Sequence, residues 1–181
     1  EAIKGVYASV FYQASKAYMS ATSNVIDQEK MAVIIQEVVG HTHGDYYFPS
    51  LSGVGRSLNY YPLGDEVAED GVAEIAVGLG KYIVDGGVSL RFSPLHPDKV
   101  LQTSTIDLAL RDTQRELYAL PIKDQGRTFS ADDSFNLVKL PVQQFADTGV
   151  LRYMVSTYDA NDCMIYDYEH GRGRRLVTFA N

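Results

Sequence analysis

Three short constellations in this chain carry residue types that could do chemistry. The first is Gly78-Leu79-Gly80, which follows the apolar run Val72 to Val77 and precedes Lys81. A strand that ends in such a turn and runs into a helix gathers backbone N–H groups and a positive helix end at one point, where phosphate can bind. Pattern alone describes a plain tight turn more often, and the third glycine of a dinucleotide fingerprint is absent. The second is His41-Thr42-His43-Gly44-Asp45. Alternate residues of a strand share a face, so His41, His43 and Asp45 could converge on zinc in a metal-binding enzyme. Such a site needs further ligands, and His96 and His170 have no matching spacing, so a solvated loop is the plainer reading. The third is Gln36-Glu37-Val38-Val39, the polar end of an apolar run beginning at Met31. No Gly-x-Ser-x-Gly elbow occurs, and Cys163 has no nearby histidine, so nucleophilic catalysis has no support.

These residues need elements to position them. Apolar side chains at helical spacing predict one helix over residues 1 to 22, ended by Thr22, Ser23 and Asn24. Met31 to Val39 is β-branched and short, the signature of a buried strand. Asp45 to Leu51 and Arg56 to Tyr61 read as strands joined by a Ser52-Gly53-Val54-Gly55 hairpin turn. Gly64 to Gly71 reads as an acidic loop and Val72 to Val77 as a strand. The glycine turn then leads into a short helix with a C-terminal cap at Gly86. Leu90 to Ser93 predicts another strand, and Ser104 to Arg111 a short helix. Strands are expected at Arg115 to Leu120, Val150 to Tyr158, Cys163 to Tyr168 and Leu176 to Ala180, with a polar loop at Lys123 to Ser134. Helices mixed with hairpin-linked strands favour an α+β fold.

Composition narrows the function. At 181 residues and 45% hydrophobic, the chain can bury a real core. Its net charge of -7 argues against nucleic acid or an anionic membrane as main partner. The basic cluster Arg172-Gly173-Arg174-Arg175 is too short for such a footprint and reads as a solvated turn. The 13 Tyr and 7 Phe are scattered, which points to core packing and not to a stacking platform. One cysteine allows no internal disulfide, so a reducing cytoplasm is the simplest compartment.

The order of segments resembles the nucleotide-binding domain of the phosphoenolpyruvate synthase and pyruvate phosphate dikinase family. The resemblance is carried by Glu1-Ala2-Ile3 through Ala17-Tyr18, by Met31-Ala32-Val33 to Gln36, and by Gly78-Leu79-Gly80 to Gly86, over roughly residues 1 to 100. The similarity implies an ATP-grasp-like lobe, a mostly antiparallel sheet packed by helices. It implies a nucleotide-binding lobe at 1–100 and a variable α/β extension of the same domain at 101–181. It further implies that Gln36, Glu37, Val38 and Val39 line the adenine, while Gly78, Gly80 and Lys81 face phosphate. The family carries an acidic residue where this chain has Lys81; a carboxylate there can hold ribose or metal, and a lysine can only contact phosphate.

The parent enzyme so implied takes phosphate from ATP, with Mg²⁺, and passes it to pyruvate, or runs the reverse from phosphoenolpyruvate. The acidic metal strand of the family does not occur in this sequence. The chain also opens on Glu1 inside a helical pattern, and so reads as a fragment whose partners include the missing domains of the same chain. It is expected to be inactive alone and to carry no bound ATP or Mg²⁺, any nucleotide contact of its own being weak, with room for a homo-oligomer through truncated surfaces. The alternative under the same resemblance is a degenerate domain with a regulatory or scaffolding role, marked by Lys81.

Overall fold

A computed structural model describes residues 2–22, 30–123, 136–167 and 173–180. The chain divides into two compact units, Glu1–Val39 with Asp124–Asn136, and Gly40–Lys123 with Leu137–Asn181. The fold is α+β, and every strand pairing among the described residues is antiparallel.

The first unit holds α1 (Ala2–Ala8) and α2 (Gln13–Ala21). The single helix expected over residues 1 to 22 is therefore broken. A 3-10 turn at Ser9–Phe11 ends on Tyr12, whose backbone is extended at φ -68° and ψ 153°. The Ser9 hydroxyl donates to the Val6 carbonyl at 2.7 Å, a local bond that competes with the helical ladder. Residues 30–40 form neither helix nor strand, against the strand expected at Met31 to Val39. Ile34 and Ile35 are 83% and 80% exposed. A strand needs a partner for its backbone groups, and the described residues of this unit contain none.

The second unit contains three small sheets. The first has the order β1 (His41–His43), β2 (Tyr46–Phe48), β6 (Glu116–Pro121) and β7 (Val138–Pro141). Gly44, at φ +63°, begins the two-residue turn that joins β1 to β2, a backbone region that glycine enters freely. The second sheet has the order β3 (Ser52–Arg56), β4 (Val72–Ala76) and β5 (Leu90–Phe92). Residues expected as a turn are thus the strand β3, in register from Ser52 opposite Ala76 to Arg56 opposite Val72. The glycine serves closeness and not turning, since a Cβ on Gly53 would stand 2.7 Å from the Glu74 carbonyl oxygen. Arg56 is the last residue of β3 and not the start of another strand; beyond it, Asn59 is buried and bonded to Glu66 and Arg91.

The third sheet has the order β10 (Arg174–Val177), β8 (Val155–Asp159) and β9 (Met164–Tyr166). The strand expected from Val150 is a 3-10 turn at Leu151–Tyr153 before β8 begins. Two short helices complete the unit, α3 (Lys81–Val84) and α4 (Ile106–Asp112). The Thr105 side chain caps α4 by accepting from the Leu108 amide at 3.2 Å. Strand β7 was not foreseen, and the loop expected after Lys123 lies outside the described residues.

The core of this unit centres on Phe48, Val77, Leu117, Leu151, Val155 and Val177, all nearly inaccessible. Each such side chain contributes about 1.5–3 kcal/mol by leaving water. Aromatic residues are not mainly core, however. Phe48 and Phe145 are buried, while Tyr60 and Tyr61 are 72% and 82% exposed. The described part of the basic tract is not a solvated turn either: Arg174 is half-buried, and Arg175 is buried against Thr157 and Asp147, while Arg172 lies outside the described residues.

Candidate functional site

The glycine turn leads from β4 into α3 and is held against β6. Gln114 holds Val77 at both backbone groups, accepting from its amide and donating to its carbonyl, each at 2.8 Å. Gly78 follows at φ +85°. A Cβ on it would lie 2.8 Å from Leu117 Cβ and 2.9 Å from the Tyr118 carbonyl oxygen, so only glycine fits. The Leu79 amide donates to that carbonyl at 2.9 Å, and the Ser52 hydroxyl donates to the Gly78 carbonyl at 2.6 Å. The turn is thus fixed from both sides.

The amides of Leu79, Lys81, Ile83 and Val84 are committed to protein carbonyls. α3 is a single turn of 4 residues, too short for much macrodipole. A phosphate here would be held by side-chain charge, and not by these four amides. The Lys81 ammonium stands 2.7 Å from the Asp85 carboxylate and 6.0 Å from the Tyr118 ring centroid, with its side chain 14% exposed. Lys139 of β7 lies over the same ring at 5.3 Å and over Tyr82 at 5.9 Å. Tyr82 and Tyr118 pack at 4.9 Å between centroids. Two cations therefore flank one tyrosine beside the glycine turn, and Lys139 also reaches Glu116 at 3.8 Å.

The electrostatics follow from this packing. Burial raises the Tyr82 hydroxyl above its usual range, with Glu116 and Tyr118 adding and Lys139 opposing. The hydrogen bond with Tyr118 raises the Lys139 ammonium first, so this lysine stays charged at neutral pH. Sequence reasoning missed Lys139, Tyr118 and Gln114. No local motif marks them, since each acts on residues more than 20 positions away.

Of the other expected site residues, Gln36, Glu37, Val38 and Val39 lie in the first unit, all exposed. Gly78, Gly80 and Lys81 lie in the second. His41 is exposed on β1. His43 stacks on Phe48 at 4.0 Å and 15° and meets Phe145 edge-on at 6.3 Å. Its Nε2 is buried with no hydrogen-bond partner. Burial first, then His41, holds its imidazole below the ordinary histidine range, against a backbone hydrogen bond with Phe48. Asp45 instead pairs with Lys123 at 2.6 Å. His43 thus serves packing and Asp45 an ion pair. Among the described residues no three His, Cys, Asp or Glu side chains gather as metal ligands. Nor is any helix among the described residues long and apolar enough to cross a membrane.

The second unit is thus an antiparallel α+β fold with Lys81 and Lys139 beside a glycine turn. The chain belongs to the family of the pyruvate phosphate dikinase AMP/ATP-binding domain, whose profile matches residues 1–128. The match extends past residue 100, through α4 and β6, so the glycine turn and the strand that fixes it lie in one family segment. No curated protein and no solved structure matches the chain.

Proposed function

We propose that this chain contributes part of the ATP cleft of a phosphotransferase of the phosphoenolpyruvate synthase and pyruvate phosphate dikinase type. The observation that carries the reading is the family match over residues 1–128. The glycine turn beside Lys81 supports it. In this reading the Gln36 to Val39 segment meets the adenine by its backbone. Gly78 holds the turn, Gly80 lets the chain approach the phosphates, and Lys81 neutralises them. ATP is the phosphoryl donor, and pyruvate or phosphoenolpyruvate is the partner substrate, in the cytoplasm. The chain's own part is to bind and orient nucleotide. Phosphoryl transfer also needs Mg²⁺ and a phosphate carrier, and in this reading the chain alone is inactive as a phosphotransferase.

A second reading is a degenerate domain with a regulatory or scaffolding role. The Lys81–Asp85 ion pair favours it, because a neutralised lysine attracts phosphate less.

Nucleotide-induced amide shifts in the labelled chain test the proposal. Shifts at Gln36 to Val39 and Gly78 to Lys81 are expected on adding ATP. Shifts confined to residues beyond 128, or none at millimolar ATP, would remove the cleft reading. Steady conversion of ATP and pyruvate by the purified chain would remove its inactivity.

A further inference from the structure

We propose that Arg115 and Arg174, which meet at the C-terminal end of α4, form a binding site for a phosphate group separate from any ATP contact of the glycine turn. The Nη2 groups of both residues donate to one oxygen, the Leu110 carbonyl; the bond from Arg174 is 3.3 Å long. Sharing one acceptor puts the two Nη2 atoms within roughly 7 Å of each other at hydrogen-bond lengths.

Like charges at that spacing need an opposite charge. Several cations elsewhere in this unit find one, as in Lys81–Asp85, Arg111–Asp112 and Arg175–Asp147. Neither Arg115 nor Arg174 has a carboxylate partner among the described residues. The carbonyl end of a helix supplies about half a negative charge, against two full positive ones. Capping α4 therefore accounts for one guanidinium at most.

The repulsion is visible in Arg174, which is half-buried: burial first, then Arg115, lowers its proton affinity. Arg115 is exposed, so a ligand can arrive from solvent. In a chain of net charge -7, an uncompensated pair of guanidiniums marks a local reversal of the field. The planar forks of two arginines match the oxygens of a phosphate group, whose two negative charges equal theirs. Arg174 lies beyond the family match, which ends at residue 128, so the site joins the family segment to the part that follows it.

Inorganic phosphate and phenyl phosphate are titrated into the ¹⁵N-labelled chain at constant ionic strength, and the arginine side-chain signals are followed. Shifts at Arg115 and Arg174 are expected, with affinity falling tenfold or more in Arg115→Gln. Arg115→Lys keeps charge but loses the fork, and is expected to lose several-fold. Arg152→Gln, at an exposed residue stacked on its neighbour Tyr153, is the control and should bind normally. Tighter phenyl phosphate identifies a phosphomonoester ligand, and tighter inorganic phosphate a free one; either supports the site. Should Arg174→Gln fail to fold, the Arg115 variants and the wild-type signals still decide. The proposal is overturned if neither compound binds at millimolar concentration, or if Arg115→Gln binds as well as wild type. The two arginines then serve the fold alone. The ATP shifts at Gly78 to Lys81 are read separately, so either site can fail alone.

Discussion

Gln114 holds both backbone groups of Val77 with one side-chain amide, across 37 positions of sequence. Both residues are buried, so water cannot replace the bonds. The same amide also donates to the Glu116 carbonyl at 2.8 Å, which ties the end of β4 to the start of β6. Gln114→Ala is expected to lower stability by about 2–4 kcal/mol, since each buried group left unpaired costs about 1–3 kcal/mol. Denaturant unfolding measures it. A loss below about 0.5 kcal/mol would show that the turn does not depend on this clamp.

Gly78 tests the turn from the other side. Its positive φ and the backbone oxygen 2.9 Å from a built Cβ leave no room for alanine. Gly78→Ala is expected to cost about 2 kcal/mol or more, combining backbone strain with a close contact. Gly86 also has positive φ, but nothing lies within 4 Å of a Cβ there. Gly86→Ala should therefore cost less, about 1 kcal/mol. Thermal melts of the two variants compare them directly, and equal losses would contradict the crowding at Gly78.

Lys81 separates the two functional readings. If its ammonium meets phosphate, Lys81→Ala weakens ATP binding by about 1.5–3 kcal/mol, the value of a hydrogen bond to a charged group. Asp85→Asn, which frees Lys81 from its ion pair, is expected to tighten ATP binding. Lys81→Glu restores the acidic residue of the family pattern. Stronger binding in that variant identifies a degenerate domain. Calorimetric titration of the three variants reads these outcomes.

His43 gives the fold an acid limit. Its folded pKa lies below the unfolded value of 6.5, because burial disfavours the cation. A depressed pKa means that the neutral form is the one that fits. Its contribution is fully present above about pH 6.5 and is lost as pH falls through the folded value. The melting temperature should drop between about pH 7 and pH 5, and His43→Phe should flatten that drop while keeping the stack on Phe48. An unchanged pH profile in the variant would assign the acid sensitivity elsewhere.

The sequence by itself determined the class of fold and the place of its most local features. Val72 to Ala76, the glycine turn, the helix after it and the positive φ at Gly86 were all legible. Each depends on residues close in sequence: β-branched runs, and glycines that alone tolerate a given φ. The family was legible over roughly residues 1 to 100 for the same reason, since order and spacing are properties of the chain, and the match runs on to residue 128. Tertiary structure decided everything that needs a distant partner. Gly53 and Gly55 looked like a turn, but β4 lies beside them and makes them a strand. Met31 to Val39 looked like a strand, but no partner strand lies in its unit among the described residues. The cations around Tyr118 come from residues 81 and 139, and the pair on Leu110 from residues 115 and 174. Charges converge through sheet register and helix placement, and neither leaves a periodic trace in the sequence.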